Sequence, residues 1–98
     1  MRTLMRVTVP PDAGNKAVQD GTIQRVIGEA MERLRPESAY FFAENGQRTA
    51  MFVFDLKDSS DIPSIAEPFF IGFNAGVEFT PVMNAEELKK GLERVPKK

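Results

Sequence analysis

The chain predicts an α+β domain built on one four-stranded antiparallel sheet, and three observations carry that prediction. The elements run strand, helix, strand, strand, helix, strand. Asn45-Gly46 separates two aromatic and β-branched runs and is the pair best suited to the positive φ angles of a two-residue hairpin turn. Apolar residues recur with helical period in the two intervals that flank this hairpin. At 98 residues a single domain over 1–98 is expected, with a flexible tail from about residue 95. A chain this short buries only roughly two-thirds of its unfolded surface, so a partner subunit would add stability.

The first strand is Thr3 to Val9, with Thr3, Met5, Val7 and Val9 on one face and Leu4, Arg6 and Thr8 on the other, until Pro10-Pro11 stops it. Ile23, Ile27, Ala30, Met31 and Leu34 then mark an amphipathic helix beginning near Asn15. A kink or restart is expected at Asp20-Gly21, because glycine costs about 1 kcal/mol against alanine inside a helix. Pro36 ends the element.

Ser38 to Glu44 and Gln47 to Leu56 form the hairpin. A two-residue loop places Glu44 opposite Gln47, Phe42 opposite Thr49, Phe41 opposite Ala50, Tyr40 opposite Met51 and Ala39 opposite Phe52. One face then collects Ala39, Phe41, Ala50, Phe52 and Phe54, and the other Tyr40, Phe42, Thr49, Met51, Val53 and Asp55. After a capping loop at Lys57–Asp61, the residues Ile62, Ile65, Ala66, Phe69 and Phe73 predict a second helix. Pro68 lacks a backbone donor and is expected to divide it into two short pieces. Val77 to Val82 reads as a fourth strand, at a sheet edge or shortened by Pro81, and Asn84 with Glu87 as the capping box of a short C-terminal helix carrying Leu88 and Leu92.

This order is the split βαβ, or ferredoxin-like, arrangement, with two helices on one face of the sheet and the other face open. An exposed open face would carry polar residues, yet Tyr40, Phe42, Met51 and Val53 stand there. A sheet-to-sheet homodimer that buries these four residues is therefore expected.

In element order, in the closing strand and turn Val77–Glu87, and in the hairpin through Asn45-Gly46, nearly the whole chain resembles the dimeric α/β-barrel superfamily. The similarity is strongest to short bacterial proteins of that group and more distant to its muconolactone-isomerase-like and small monooxygenase-like members. The resemblance implies two subunits packed sheet to sheet and a small organic ligand in the barrel. Catalytic members often use a histidine or an acid–base pair; this sequence has no histidine, so that role passes to no residue here.

Composition narrows the classes of function further. With no cysteine, thiolate catalysis, disulfides and cysteine-ligated zinc are excluded, and with no histidine the usual general base is missing. No metal site and no cofactor are expected, since no phosphate-cradling glycine loop is present and Lys57–Asp61 lacks the spacing of a calcium loop. The net charge of -1 provides no field to concentrate nucleic acid. Arg48–Phe54 has the look of an RNA-binding strand, but Thr49 and Ala50 replace the glycine and the aromatic stacker. Arg6 and Pro10-Pro11 interrupt any signal-peptide core, and no apolar run approaches the ~20 residues of a membrane span, so a cytoplasmic protein without membrane association is expected.

The candidate ligand-binding residues are the polar members of the open face: Arg6, Tyr40, Asp55 and Glu78, with Thr8, Thr49 and Thr80 beside them. An arginine beside carboxylates orients an anionic or carbonyl group, and a desolvated Glu78 suits proton transfer. The plain structural reading makes Arg6 and Glu78 a cross-strand ion pair and Tyr40 an interface residue. Phe69, Phe70 and Phe73 with Phe41, Phe52, Phe54 and Phe79 compose the core, or, read functionally, surround a small apolar ligand between the second helix and the sheet. The expected function is the binding of a small organic molecule by a homodimer, isomerase- or oxygenase-like in kind; the alternative is a non-catalytic accessory or protein-interaction module.

Overall fold

The computed structural model describes residues 1–98 as β1 (Arg2–Val9), α1 (Pro11–Asp20), α2 (Thr22–Leu34), β2 (Ser38–Glu44), β3 (Gln47–Asp55), a 3-10 turn at Ser59–Asp61, α3 (Ile62–Phe73), β4 (Gly76–Pro81) and α4 (Ala85–Glu93). The four strands form a single open antiparallel sheet in the order β2-β3-β1-β4, which is compatible with a ferredoxin-like arrangement. Both edge strands pair on one side only.

The hairpin takes the expected register at every position from Ala39 opposite Phe52 to Glu44 opposite Gln47. Its turn has Asn45 at φ 54° and Gly46 at φ 73°, the left-handed pair whose twist matches that of the flanking strands. Gly46→Val should cost about 1–2 kcal/mol, because a side chain at that φ meets its own carbonyl. A urea midpoint equal to that of the natural chain would show that the turn carries no such constraint.

Two helical elements differ from the expectation, and a third restarts where expected. The first helix starts at Pro11 rather than near Asn15, because Pro10 serves as the extended N-cap and Pro11 occupies the first turn, where its missing N–H goes unneeded. The double proline thus ends a strand and opens a helix in one step. The expected restart at Asp20-Gly21 is a complete break, with Gly21 at φ 83° separating α1 from α2 and the Asp20 carboxylate accepting from the Thr22 N–H at 2.9 Å. Consequently three helices, not two, fill the intervals of the sheet.

α3 runs unbroken through Pro68. A proline leaves the carbonyl four residues earlier, that of Ser64, without its helical donor. Arg33 of α2 supplies one: its Nη1 donates to the Ser64 carbonyl at 3.1 Å and its Nη2 to the Ser64 hydroxyl at 2.7 Å. The sequence rule fails here because a side chain 31 positions away replaces the lost bond.

The core lies between the sheet and α1, α2 and α3. Met5, Val7 and Val9 of β1 and Ala50, Phe52 and Phe54 of β3 meet Ala17, Ile23, Val26, Ile65, Phe69 and Phe73. Phe52 is fully buried, stacking edge-on against Phe41 with ring centroids 5.8 Å apart and lying 6.3 Å from Phe69. Phe70, expected among these aromatics, points outward, since the helical period places residues 65, 66, 69 and 73 inward and leaves residues 70 and 71 outside.

α4 is set apart from this body. Its capping box is complete, with the Asn84 side chain accepting from the Glu87 N–H at 2.8 Å and the Glu87 carboxylate accepting from the Asn84 N–H at 2.9 Å. Arg2, which alternates outward beside buried Thr3, also donates to Glu87, so α4 is anchored on the side of the sheet opposite the other helices. It projects from there: the radius of gyration is 15.8 Å against about 13 Å for a compact chain of this size, and the long axis reaches 57 Å. No helix is long and apolar enough to cross a membrane.

Candidate functional site

Strand pairing draws three of the four candidate ligand residues into one row. Across the open face Tyr40, Met51, Arg6 and Glu78 stand side by side on β2, β3, β1 and β4. The next row contains Phe42, Thr49, Thr8 and Gly76, and the row on the other side Ser38, Val53, Leu4 and Thr80. The four expected interface residues, Tyr40, Phe42, Met51 and Val53, therefore form one contiguous apolar block over β2 and β3.

Arg6 does not pair with Glu78, its register neighbour. Its Nη1 donates to both carboxylate oxygens of Glu44, at 2.9 and 3.2 Å, while Nη2 lies 3.9 Å from the Met51 sulfur. The guanidinium thus reaches past the Met51 sulfur to a carboxylate on the edge strand β2 rather than to the one on β4. Glu78 is left exposed on β4.

Asp55 stands apart from this row. It is opposite Arg2 in the register, about 13 Å along β1 from Arg6. Its carboxylate accepts from Lys57 Nζ at 2.6 Å and from the N-terminal ammonium at 2.7 Å. Those two bonds, Lys57 first, hold its pKa down at about 2, against an ordinary 3.8. At the same corner Arg2 bridges Glu37 and Glu87, and Glu87 is likewise held below the usual carboxylate range, first by the Asn84 N–H and then by Arg2.

A carboxyl group with a depressed folded pKa contributes stability that is complete above its unfolded value and disappears as pH falls through the folded one. For Asp55 that window runs from about pH 5 down to about 2. Asp55→Asn should therefore lower the melting temperature at neutral pH and flatten its decline over that window. Superimposable acid limbs for the two proteins would show that the N-terminal corner adds nothing.

A second feature lies on the helix side. Between the sheet and the helices is a cavity of about 210 Å³ whose lining is apolar at nine of eleven residues. Val7, Val9 and Ala50 form its floor, and Ile23 and Ile27 of α2 face Phe69 and Phe73 of α3 across it. Phe41 closes the β2 side; Arg48, and Phe42 and Thr49 although their side chains belong to the open-face row, complete the lining. The cavity exists because the helices pack over the inner strands and stop short of the edge, so that Phe41 is 52% exposed although it faces the helix side.

Of the aromatics that the sequence offers as ligand neighbours, Phe41, Phe69 and Phe73 line this cavity. Phe52 and Phe54 are buried in the core and Phe79 packs at its margin. Val7, Val9, Ala50, Ile23, Ile27 and Arg48 also line the cavity, and sequence reasoning singles out none of them as a ligand neighbour. Periodicity marks the two isoleucines as inward-facing but not as bordering a space, and nothing local connects Arg48 to a helix 33 positions away. Searched against known proteins, the chain matches no family model and no curated protein.

Proposed function

We propose that the chain is a ferredoxin-like subunit, of the dimeric α/β-barrel kind, that binds a small organic molecule and pairs with a second copy through its open sheet face. The observation that carries the binding reading is the apolar cavity of about 210 Å³. A dry cavity of about 150 Å³ is enough to take up benzene, so this space suits one ring with a short substituent. The reading places the ligand between sheet and helices of one subunit, and it gives the open-face row of Arg6, Tyr40 and Glu78 to the subunit contact.

Area supports the pairing. Eight residues of strand by four strands present about 500 Å² of plane area per subunit, or about 1,000 Å² in a pair, at the lower end of specific interfaces. α4, anchored on the same side with Leu88 and Leu92 exposed, extends the surface available to a second copy. A second reading, an accessory module that engages another protein, is favoured by that same projecting helix, whose apolar stripe finds no partner within the chain.

Methyl-resolved NMR with toluene, a neutral one-ring probe, tests the cavity. Shifts confined to Ile23, Ile27, Val7 and Val9 are expected; an unchanged spectrum at probe saturation would overturn the binding reading. Sedimentation of the natural chain tests the pairing, with a particle of twice the 11.0 kDa subunit expected and a single-subunit particle at high concentration overturning it.

A further inference from the structure

We infer that the ligand of the helix-side cavity is a small aromatic monocarboxylate, with its ring between α2 and α3 and its carboxylate on Arg48. This rests on the reading that the cavity takes a small molecule and adds the class of that molecule. Among the lining residues Arg48 is the only one that is charged. The other arginines on the sheet are already paired with carboxylates, Arg2 with Glu37 and Glu87 and Arg6 with Glu44. Arg48 instead donates from Nη2 to the neutral side-chain oxygen of Asn15 at 3.0 Å. A guanidinium has five donors in a planar fork that matches a carboxylate, and this one retains donors and its full charge at the rim of an apolar space.

The local sequence leaves room for that fork. Gly14 lies within α1, where alanine would favour the helix by about 1 kcal/mol. A Cβ at Gly14 would stand 2.7 Å from Arg48 Nη1 and 3.0 Å from a Val9 methyl. Glycine thus lets the guanidinium lie directly against α1, beside Asn15. Apolar walls and a volume of about 210 Å³ admit one ring and a short chain. A second charge would be buried without a partner, and an amine would meet Arg48 as a like charge.

Calorimetric titration with phenylacetate, toluene, phenethylamine and acetate, on the natural chain and on Arg48→Gln, tests this. Phenylacetate should bind, Arg48→Gln should weaken it about tenfold or more while leaving toluene unchanged, and phenethylamine should bind most weakly of the ring compounds. Arg48 is exposed, so the variant is expected to fold; its unchanged toluene affinity is the internal check. Equal phenylacetate affinity in both proteins, with toluene bound, would overturn the carboxylate assignment and leave the cavity reading standing. Acetate binding as tightly as phenylacetate would reduce Arg48 to a general surface anion contact and likewise overturn it. Failure of both toluene and phenylacetate would remove the small-molecule reading itself.

Discussion

Phe52→Ala should remove most of the domain's stability. Phe52 is fully buried on β3 at the centre of the sheet, between Phe41 of the edge strand and Phe69 of α3. Truncating a buried phenylalanine costs about 3–5 kcal/mol, made up of the lost transfer free energy and the cavity left behind. A chain of this length has about 5–15 kcal/mol in total, and a small domain lies toward the lower end. The effect should exceed the single-residue value, because the ring also supports Phe41, whose outer side is already open to solvent. Denaturant titration followed by far-UV circular dichroism checks it, with Phe70→Ala, at an outward position on α3, as the control expected to shift little. A midpoint shift for Phe52→Ala no larger than that control would mean that the domain is held together elsewhere.

The same residues show where sequence reasoning succeeds and where it stops. Hairpin register was readable because a two-residue Asn-Gly loop fixes it and the period of two then sorts every side chain, down to Phe52 inward and Met51 outward. Pro68 departs from the sequence rule because its consequence depends on a tertiary contact: the freed Ser64 carbonyl is a defect only until Arg33 reaches it. The candidate site divided in the same way. Row membership of Tyr40, Arg6 and Glu78 follows from strand order, but long side chains choose partners beyond their register neighbours, so Arg6 goes to Glu44 and Asp55 to the chain terminus. The cavity was unreadable because periodicity says which face of β2 looks toward the helices and nothing about how far sideways the helices extend.

That lateral offset connects the two faces of the molecule. Because β2 is an edge strand left uncovered by helices, Phe41 is exposed on one side of it and Tyr40, at 66% exposure, and Phe42 on the other. An uncovered aromatic edge strand in water is an invitation to further pairing or aggregation. In the proposed arrangement the open face of β2 is covered by a second subunit and its helix side by a bound ring.

Met51→Asp separates the proposed pair from the fold itself. Met51 lies half-buried in the middle of the open face, one strand from Tyr40 and one from Arg6, whose Nη2 is 3.9 Å from its sulfur. In a lone subunit the introduced carboxylate would be within reach of that guanidinium and of water, so the chain should fold with little loss. In the pair, twofold symmetry would place two such carboxylates inside an apolar contact already occupied by Tyr40, Phe42 and Val53. At about 3 kcal/mol or more for each charge buried without full compensation, association should weaken by roughly four orders of magnitude. Sedimentation should then find a folded single subunit with an unchanged circular dichroism spectrum. A variant that still sediments as a pair would place the contact on another surface, with the projecting α4 the first to examine.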